Sequence, residues 1–219
     1  YSVDAVIVAS STLPVSFAES FHEAGLRVVH SFGRLTDRPR INVLGIDNCE
    51  AGRIAARELL RRGYRKVGFL AGPLSATSTR DRHTGFAEEL GRHTDVSLSV
   101  SYAKAYSFEA GREEMTRLLR MGAAEAYFCG DDVLSIGALS AIEDAGLSVP
   151  QDVGILGLNN MKMAGWELVN LTTIHNPIDG IIKASVDLIE AMLKGEDGPA
   201  RSTTFACHVV ERGTLRPAP

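Results

Sequence analysis

Residues 127–157, YFCGDDVLSIGALSAIEDAGLSVPQDVGILG, decide the fold class. A short apolar run ends in an acidic turn at Asp131 and Asp132, and an amphipathic segment then runs to Gly146. A second apolar run, 153–156, follows a Val-Pro turn. This order predicts a strand, a helix and a second strand, the repeating unit of a parallel sheet. Because open parallel sheets bind ligands at the carboxyl ends of their strands, the acidic turn also marks a candidate site.

Composition limits the functional classes. The chain has 219 residues, of which 45% are hydrophobic and 23% charged, enough for one large domain or two small lobes. A net charge of −4 makes direct contact with nucleic acid unfavourable. The three cysteines, Cys49, Cys129 and Cys207, are far apart, so we expect free thiols in a reducing compartment. No apolar run approaches the roughly 18 residues of a transmembrane helix, and the first residues do not resemble a signal peptide.

The same alternation of strands and helices continues along the whole chain. It predicts an α/β fold built on doubly wound parallel sheets. The predicted strands are 3–9, 26–30, 41–46, 66–70, 96–103, 126–129, 153–156, 171–174 and 205–211. The predicted helices include 17–24, 80–90, 107–119 and 178–193.

Polar side chains follow many of these strands. In a parallel sheet they converge on one edge, where arginine supplies a rigid fork of donors, Asp and Asn supply acceptors, and tyrosine supplies a flat face. That mixture suits a polyhydroxylated small molecule such as a sugar or a sugar acid. The candidate ligand-binding residues are Ser10, Ser78, Arg82, Tyr106, Asp131, Asn159 and Asn176.

Several of these residues also have a purely structural interpretation. Asp131 is equally well placed to cap the next helix, Asp132 to hold a loop, and Asn159 to form a turn. Arg82 lies near a predicted helix start, where the helix dipole disfavours a cation, and this favours a role in ligand binding or an ion pair. Trp166 is expected to be a packing residue.

The sequence predicts no catalytic residue, metal site or cofactor. It contains no G-x-S-x-G segment, no Walker A loop and no G-x-G-x-x-G turn after a strand. Its six histidines lack the spacing of a zinc site.

At these residues the chain resembles the effector-binding core of the lactose-repressor/galactose-repressor (LacI/GalR) family of bacterial transcription regulators. The similarity runs nearly end to end, and the order and spacing of the segments make it specific. The segments are D-N-x-x-A-G at 47–52, S-x-x-x-R-x-x-G-F at 78–86, F-C-G-D-D at 128–132, G-L-S-V-P-Q-D-V at 146–153 and L-T-T-I at 171–174.

The resemblance implies a type I periplasmic-binding-protein-like fold of two lobes with an effector between them. The N-terminal lobe is expected at 1–46 plus 177–196, and the C-terminal lobe at 47–176 plus 197–219. It also implies a cytoplasmic homodimer that contacts operator DNA only through a headpiece absent from this sequence. The first two strand–helix units of the N-terminal lobe are expected to be missing as well.

The resemblance further assigns roles to individual residues. Arg82 corresponds to the family's effector-binding arginine, and Tyr106 to a stacking aromatic residue. Asp131 stands where the family has Asn, and Asn159 stands where it has Asp, so the carboxylate has moved to the neighbouring strand end. Asn176 falls on a crossover and is expected to reach the ligand.

The leading hypothesis is therefore a sensor of a sugar, sugar acid or polyol, and not an enzyme. The alternative is a periplasmic sugar-binding protein of a transporter, which shares the fold. A third reading is a Rossmann-type enzyme, and the missing phosphate loop argues against it.

Overall fold

The computed structural model describes residues 3–196 and 198–218 and confirms an α/β fold with parallel-stranded sheets. The strands are β1 Ala5–Ala9, β2 Arg27–Ser31, β3 Asn42–Ile46, β4 Lys66–Ala71, β5 Ser97–Tyr102, β6 Ala126–Cys129, β7 Gly154–Asn159, β8 Thr173–His175, β9 Ser202–Phe205 and β10 His208–Val210. The helices are α1 Val15–Glu23, α2 Asn48–Arg61, α3 Thr77–Leu90, α4 Phe108–Met121, α5 Asp132–Asp144 and α6 Ile178–Leu193. Within the described ranges, no helix combines the length and apolar composition needed to cross a membrane.

The chain forms two compact units. The smaller unit comprises the chain up to Asp47, together with Ala76–Ser78 and Pro177–Ala206. The larger unit comprises Asn48–Ser75, Thr79–Asn176 and the chain from Cys207 onward.

The smaller unit is built on a four-stranded sheet of order β1-β2-β3-β9, in which all neighbours are parallel. Its strands β2 and β3 are buried along most of their length, as expected when helices cover a parallel sheet. Helix α6 contributes the fully buried Ile181, and its Ser185 hydroxyl is hydrogen-bonded to that of Ser31 at 2.6 Å.

The larger unit is built on a six-stranded sheet of order β10-β8-β7-β6-β4-β5, which is parallel except for the edge strand β10. Strand β6 is buried throughout, and β7 is buried except at its last residue. The register places Phe128 beside Leu156 and Asn159 beside His175. The carboxyl ends of β6, β7 and β8 therefore lie side by side on one edge of the sheet.

The expected strand 205–211 is wrong. The chain instead forms β9 and β10, which belong to different sheets and are separated by Ala206 and Cys207. Strand β9 pairs with β3 in the smaller unit, which differs from the expectation that all of 197–219 lies in the C-terminal lobe. Residues 206 and 207 are neither Gly nor Pro, so the sequence gives no sign of a break there. The break results from pairing of the two strands with different, distant partners.

Burial on α4 yields a stability prediction. Met115 is fully buried in the core of the larger unit, whereas Met121 on the same helix is 71% exposed. Met115→Ala should lower the free energy of unfolding by about 2–5 kcal/mol, because it removes buried methylenes and leaves a cavity. Met121→Ala is the matched control and should change it by less than about 0.5 kcal/mol. Urea unfolding of the three proteins measures both values, and equal effects would contradict the packing described here.

Candidate functional site

Arg82 is a buried charged group at the strand-end edge of the larger unit. Helix α3 begins at Thr77, earlier than predicted. Arg82 therefore lies in its second turn, where the helix dipole no longer disfavours a cation. The side chain is 6% exposed. Its Nε donates to Asn48 Oδ1 at 2.8 Å, and its Nη1 donates to the carbonyl of Gly130 at 2.7 Å. These two bonds fix the guanidinium against the turn that follows β6.

The close approach of α2 and α3 makes this contact possible. A Cβ atom on Gly52 would overlap the backbone carbonyl of Arg82, so only glycine allows this spacing of the two helices. Asn48 lies four residues earlier and so faces the same side of α2. The segment D-N-x-x-A-G therefore positions Arg82 through its Asn and its Gly together.

Other polar side chains surround Arg82 from separate parts of the chain. Burial lowers the pKa of its guanidinium, while electrostatic interactions with Tyr106, Asp131, Cys207 and Asp81 act in the opposite direction. Two of these groups, Tyr106 and Asp131, were predicted from the sequence. The structure thus brings three of the predicted site residues together within one unit.

Asp131 does cap the following helix. Its Oδ1 accepts a hydrogen bond from the backbone N–H of Leu134 at 2.8 Å, and it is the N-cap residue of α5. Burial raises the pKa of Asp131, opposed by the Leu134 N–H and by Arg82. The capping role does not exclude ligand contact, since a carboxylate has about four acceptor positions. Ligand contact by Asp131 remains a prediction.

Asp132 holds a loop, as expected. It is fully buried, and it accepts hydrogen bonds from Met161 N and Thr173 Oγ1, both at 2.6 Å. Burial raises the pKa of Asp132 to about 6, because desolvation outweighs these bonds. Asp132 therefore joins the segment after β7 to strand β8.

Tyr106 is held at two points. Its hydroxyl is hydrogen-bonded to Thr79 Oγ1 at 2.5 Å. Its ring lies against Gly72, where an added Cβ would come within 2.5 Å of two ring atoms. The aromatic face is thus fixed beside Arg82, as a stacking wall requires.

The amides of Asn159 and Asn176 are bonded to each other at the ends of β7 and β8. Asn176 Nδ2 donates to Asn159 Oδ1 at 3.2 Å. Asn159 and Asn160 have φ values of 113° and 53°, a region that Asn tolerates better than other non-glycine residues. Asn159 and Asp131 each lie three residues beyond the paired Leu156 and Phe128, near the carboxyl ends of neighbouring strands.

Asn176 carries an unsatisfied acceptor. The residue is 7% exposed, and its Oδ1 has no hydrogen-bond partner within the part of the chain that the structure describes. Because an unpaired buried acceptor destabilises the free protein, such an atom favours a ligand donor.

The two predicted serines lie in the smaller unit. The hydroxyl of Ser10 accepts from the backbone N–H groups of Thr12 and Leu13, each at 3.1 Å, so it stabilises the turn before α1. Ser78 is 2% exposed, and its hydroxyl is unpartnered among the described residues. Ser78 therefore retains a free polar group, whereas that of Ser10 is largely occupied.

Sequence reasoning missed the residues that support the site. Asn48 was recognised only as part of the D-N-x-x-A-G segment, and Thr79 and Gly72 were not singled out. Cys207 was interpreted only as a free thiol, although it interacts with Arg82. The D-N-x-x-A-G spacing was the one available signal, because the other contacts join residues distant in sequence.

The raised pKa of Asp132 predicts a pH dependence of stability. Its native pKa of about 6 lies above the ordinary value of 3.8, so the native state binds more protons than the unfolded state between these values. The stability contributed by this carboxyl group therefore falls by about 1 kcal/mol as the pH rises from about 5 to about 7. Asp132→Asn removes the titration. Urea unfolding should show the wild type exceeding this variant by about 1 kcal/mol more at the lower pH, and a pH-independent difference would contradict the assignment.

Comparisons with known proteins identify the family of the chain. A family model described as the periplasmic binding protein-like domain matches residues 56–215. The transcriptional repressor PurR of Klebsiella pneumoniae is 30% identical over 178 residues, which cover 80% of this chain and 52% of PurR. The chain thus spans about half the length of the curated relatives it matches.

Solved structures show the same fold. A transcriptional regulator of the LacI family from Burkhoderia phymatum superposes with a TM-score of 0.86 at 26% identity, covering 98% of this chain and 78% of that one. The regulator CelR in complex with cellobiose superposes with a TM-score of 0.85 at 24% identity, covering 97% and 66%. The chain belongs to the periplasmic binding protein-like domain family, and its matched homologues are LacI-type transcription repressors.

Proposed function

We propose that this chain is the effector-sensing core of a LacI-type DNA-binding transcription regulator. It binds a small sugar-like molecule, and this binding controls the affinity of the whole protein for operator DNA. The protein acts as a sensor and not as an enzyme. The homologues matched by the chain are transcriptional repressors, which favours this function over that of a periplasmic transport protein.

The observation that carries the proposal is the buried Arg82 beside Tyr106 and Asp131. Of the five N–H donors of Arg82, two are bonded within the described part of the chain, which leaves donors for a ligand. Tyr106 offers a fixed aromatic face, and Asn176 Oδ1 offers a buried acceptor that lacks a donor. A polyhydroxylated ligand carries both the hydrogen-bond donors and the acceptors that these groups require. CelR, which has the same fold, was solved with cellobiose.

Signalling requires more than binding. A ligand shifts an equilibrium between two conformations only by the difference in its affinity for them. A shift from about 1:99 to 99:1 needs a difference of roughly 5.5 kcal/mol. The contacts of Arg82 and Asn176 are therefore proposed to be available to the ligand in one conformation more than in the other.

Substitution of Arg82 tests the site. Arg82→Ala should abolish calorimetric binding of any member of a panel of neutral sugars, such as glucose, galactose, maltose and cellobiose, that the wild type binds. The fold should survive, although the freed acceptors of Asn48 and Gly130 should lower stability by about 1–3 kcal/mol. Melting curves recorded alongside separate the two effects.

Arg80→Ala is the matched control. Arg80 lies on the same helix but is exposed, and its Nη1 donates to the carbonyls of Leu74 and Ser75. This variant should bind like the wild type. Unchanged affinity in Arg82→Ala would remove Arg82 from the site, and a panel without any binding sugar would contradict the sugar-like effector.

We further propose that the protein is a homodimer, and that Trp166 and Leu168 contribute to the interface. They are 62% and 101% exposed, which corrects the expectation that Trp166 is a packing residue. Their segment is nevertheless ordered by backbone hydrogen bonds, among them Trp166 N to Met163 O at 3.2 Å and Leu171 N to Ala164 O at 2.9 Å. A rigid segment that exposes large apolar side chains is typical of an interaction surface.

The double variant Trp166→Ser with Leu168→Ser tests this surface. Loss of such anchors costs at least about 2 kcal/mol, so the dimer dissociation constant should rise roughly thirtyfold or more. Sedimentation velocity over a concentration series measures it. Val100→Ser removes another exposed apolar side chain, 40% exposed on β5, and should leave the constant unchanged. A monomeric wild type, or an unaffected double variant, would contradict the proposal.

A further inference from the structure

We propose that the effector is an electrically neutral, hydroxyl-bearing molecule, and that the larger unit selects against ligands carrying a carboxylate or a phosphate. This inference rests on the proposed function and concerns the same site. It decides between two ligand classes that the sequence left open, the sugars and polyols on one side and the sugar acids on the other.

Carboxylates outnumber guanidinium groups among the charged residues that interact with Arg82 and Asp131. The guanidinium of Arg82 interacts electrostatically with Asp131 and with Asp81. Asp132 follows Asp131 in the chain and interacts electrostatically with both Asp131 and Arg212. Three carboxylates thus accompany two guanidinium groups. An anionic ligand would meet a net negative environment, and in a buried site such repulsion is poorly screened.

The position of the carboxylate strengthens this argument. Asp131 lies at the end of β6, next to the turn whose Gly130 carbonyl accepts a bond from Arg82. A ligand that reaches the free donors of Arg82 therefore also approaches Asp131. The neighbouring strand end presents Asn159, which adds no charge to offset Asp131.

The available acceptor atoms at this edge favour a ligand that donates hydrogen bonds. Asn176 Oδ1 is buried and unpartnered within the described residues, and its Nδ2 is committed to Asn159. Asp131 has acceptor capacity beyond the N–H of Leu134. An ionised carboxylate or phosphate ester offers no donor to these acceptors, whereas a hydroxyl both donates and accepts. Hydroxyl groups can also accept from the unused donors of Arg82.

Substitution of Asp131 tests the inference that the site selects against anionic ligands. Asp131→Asn removes the negative charge, and Asn is as good an N-cap residue as Asp, so α5 keeps its cap. The test uses matched pairs of ligands that keep the pyranose ring and differ mainly in the charge of the group at C6: glucose with glucuronate, and galactose with galacturonate. Calorimetric titration measures affinity for each member with the wild type and the variant.

For the wild type, we expect the neutral member of the pair that binds to be favoured by at least about tenfold over its acid, because repulsion by Asp131 adds to the loss of donors. In Asp131→Asn, the neutral ligand should bind about tenfold more weakly, as expected for a lost hydrogen bond to a charged group. The acid should bind more tightly than it does to the wild type. The preference of the protein for the neutral ligand over its acid should therefore become smaller or reverse.

Asp144→Asn is the matched control. Asp144 is the last residue of the same helix, with a side chain that is 55% exposed and paired with Arg112. This substitution changes the net charge equally but lies about 18 Å away along the helix. It should leave the preference unchanged, whereas an equal effect in both variants would show that overall charge and not the site decides.

Different experimental results would contradict the sensing function and the neutral-ligand inference. Tighter wild-type binding of an acid, lost in Arg82→Ala, would overturn the neutral-ligand inference and leave the sensing function intact. Tight neutral binding that Asp131→Asn does not alter would overturn the role of Asp131 in this selection. A panel in which no ligand shows Arg82-dependent binding would contradict both proposals.

Discussion

The buried guanidinium of Arg82 is the constraint on which the strand-end edge depends. A buried charge is strongly unfavourable unless hydrogen bonds and counter-charges compensate it. Here the compensation comes from two different elements, the Asn48 side chain on α2 and the Gly130 carbonyl after β6. Helix α3, helix α2 and the β6 turn must therefore keep fixed relative positions. Gly52 makes this spacing sterically possible, so one small residue supports the geometry of the whole edge.

The two carboxylates of the acidic turn next to Arg82 have different structural roles. Asp131 caps α5 and interacts with Arg82, whereas Asp132 is buried and ties the Met161 segment to Thr173 on β8. Burial raises the pKa of both groups, because desolvation disfavours an ionised carboxylate. Unpaired or strained groups are typical of binding sites, because their cost in the free protein is recovered when a ligand satisfies them. The free acceptor of Asn176 belongs to the same pattern.

Sequence patterns predicted the first and last residues of some helices and strands correctly and those of others wrongly. Strand β6 and helix α6 have the predicted bounds, because each combines a clear apolar pattern with Gly or Pro at its boundary. The start of α3 was placed too late, since its first turn has no apolar periodicity. The segment 205–211 has a continuous strand-like composition, yet it divides between two sheets. Local composition describes which residues favour an extended backbone, but not which neighbour each one pairs with.

The sequence by itself determined the α/β class, the family and the identity of the polar residues at the strand ends, because periodicity and ordered segments are local properties of the chain. Only the tertiary structure decided what those residues contact. It placed Asn48 against Arg82, Thr79 and Gly72 against Tyr106, and left Asn176 Oδ1 without a partner. It also brought the carboxylates of Asp81 and Asp131 close enough to Arg82 to interact with its charge. These properties depend on distances between residues far apart in sequence, which packing fixes and local pattern does not.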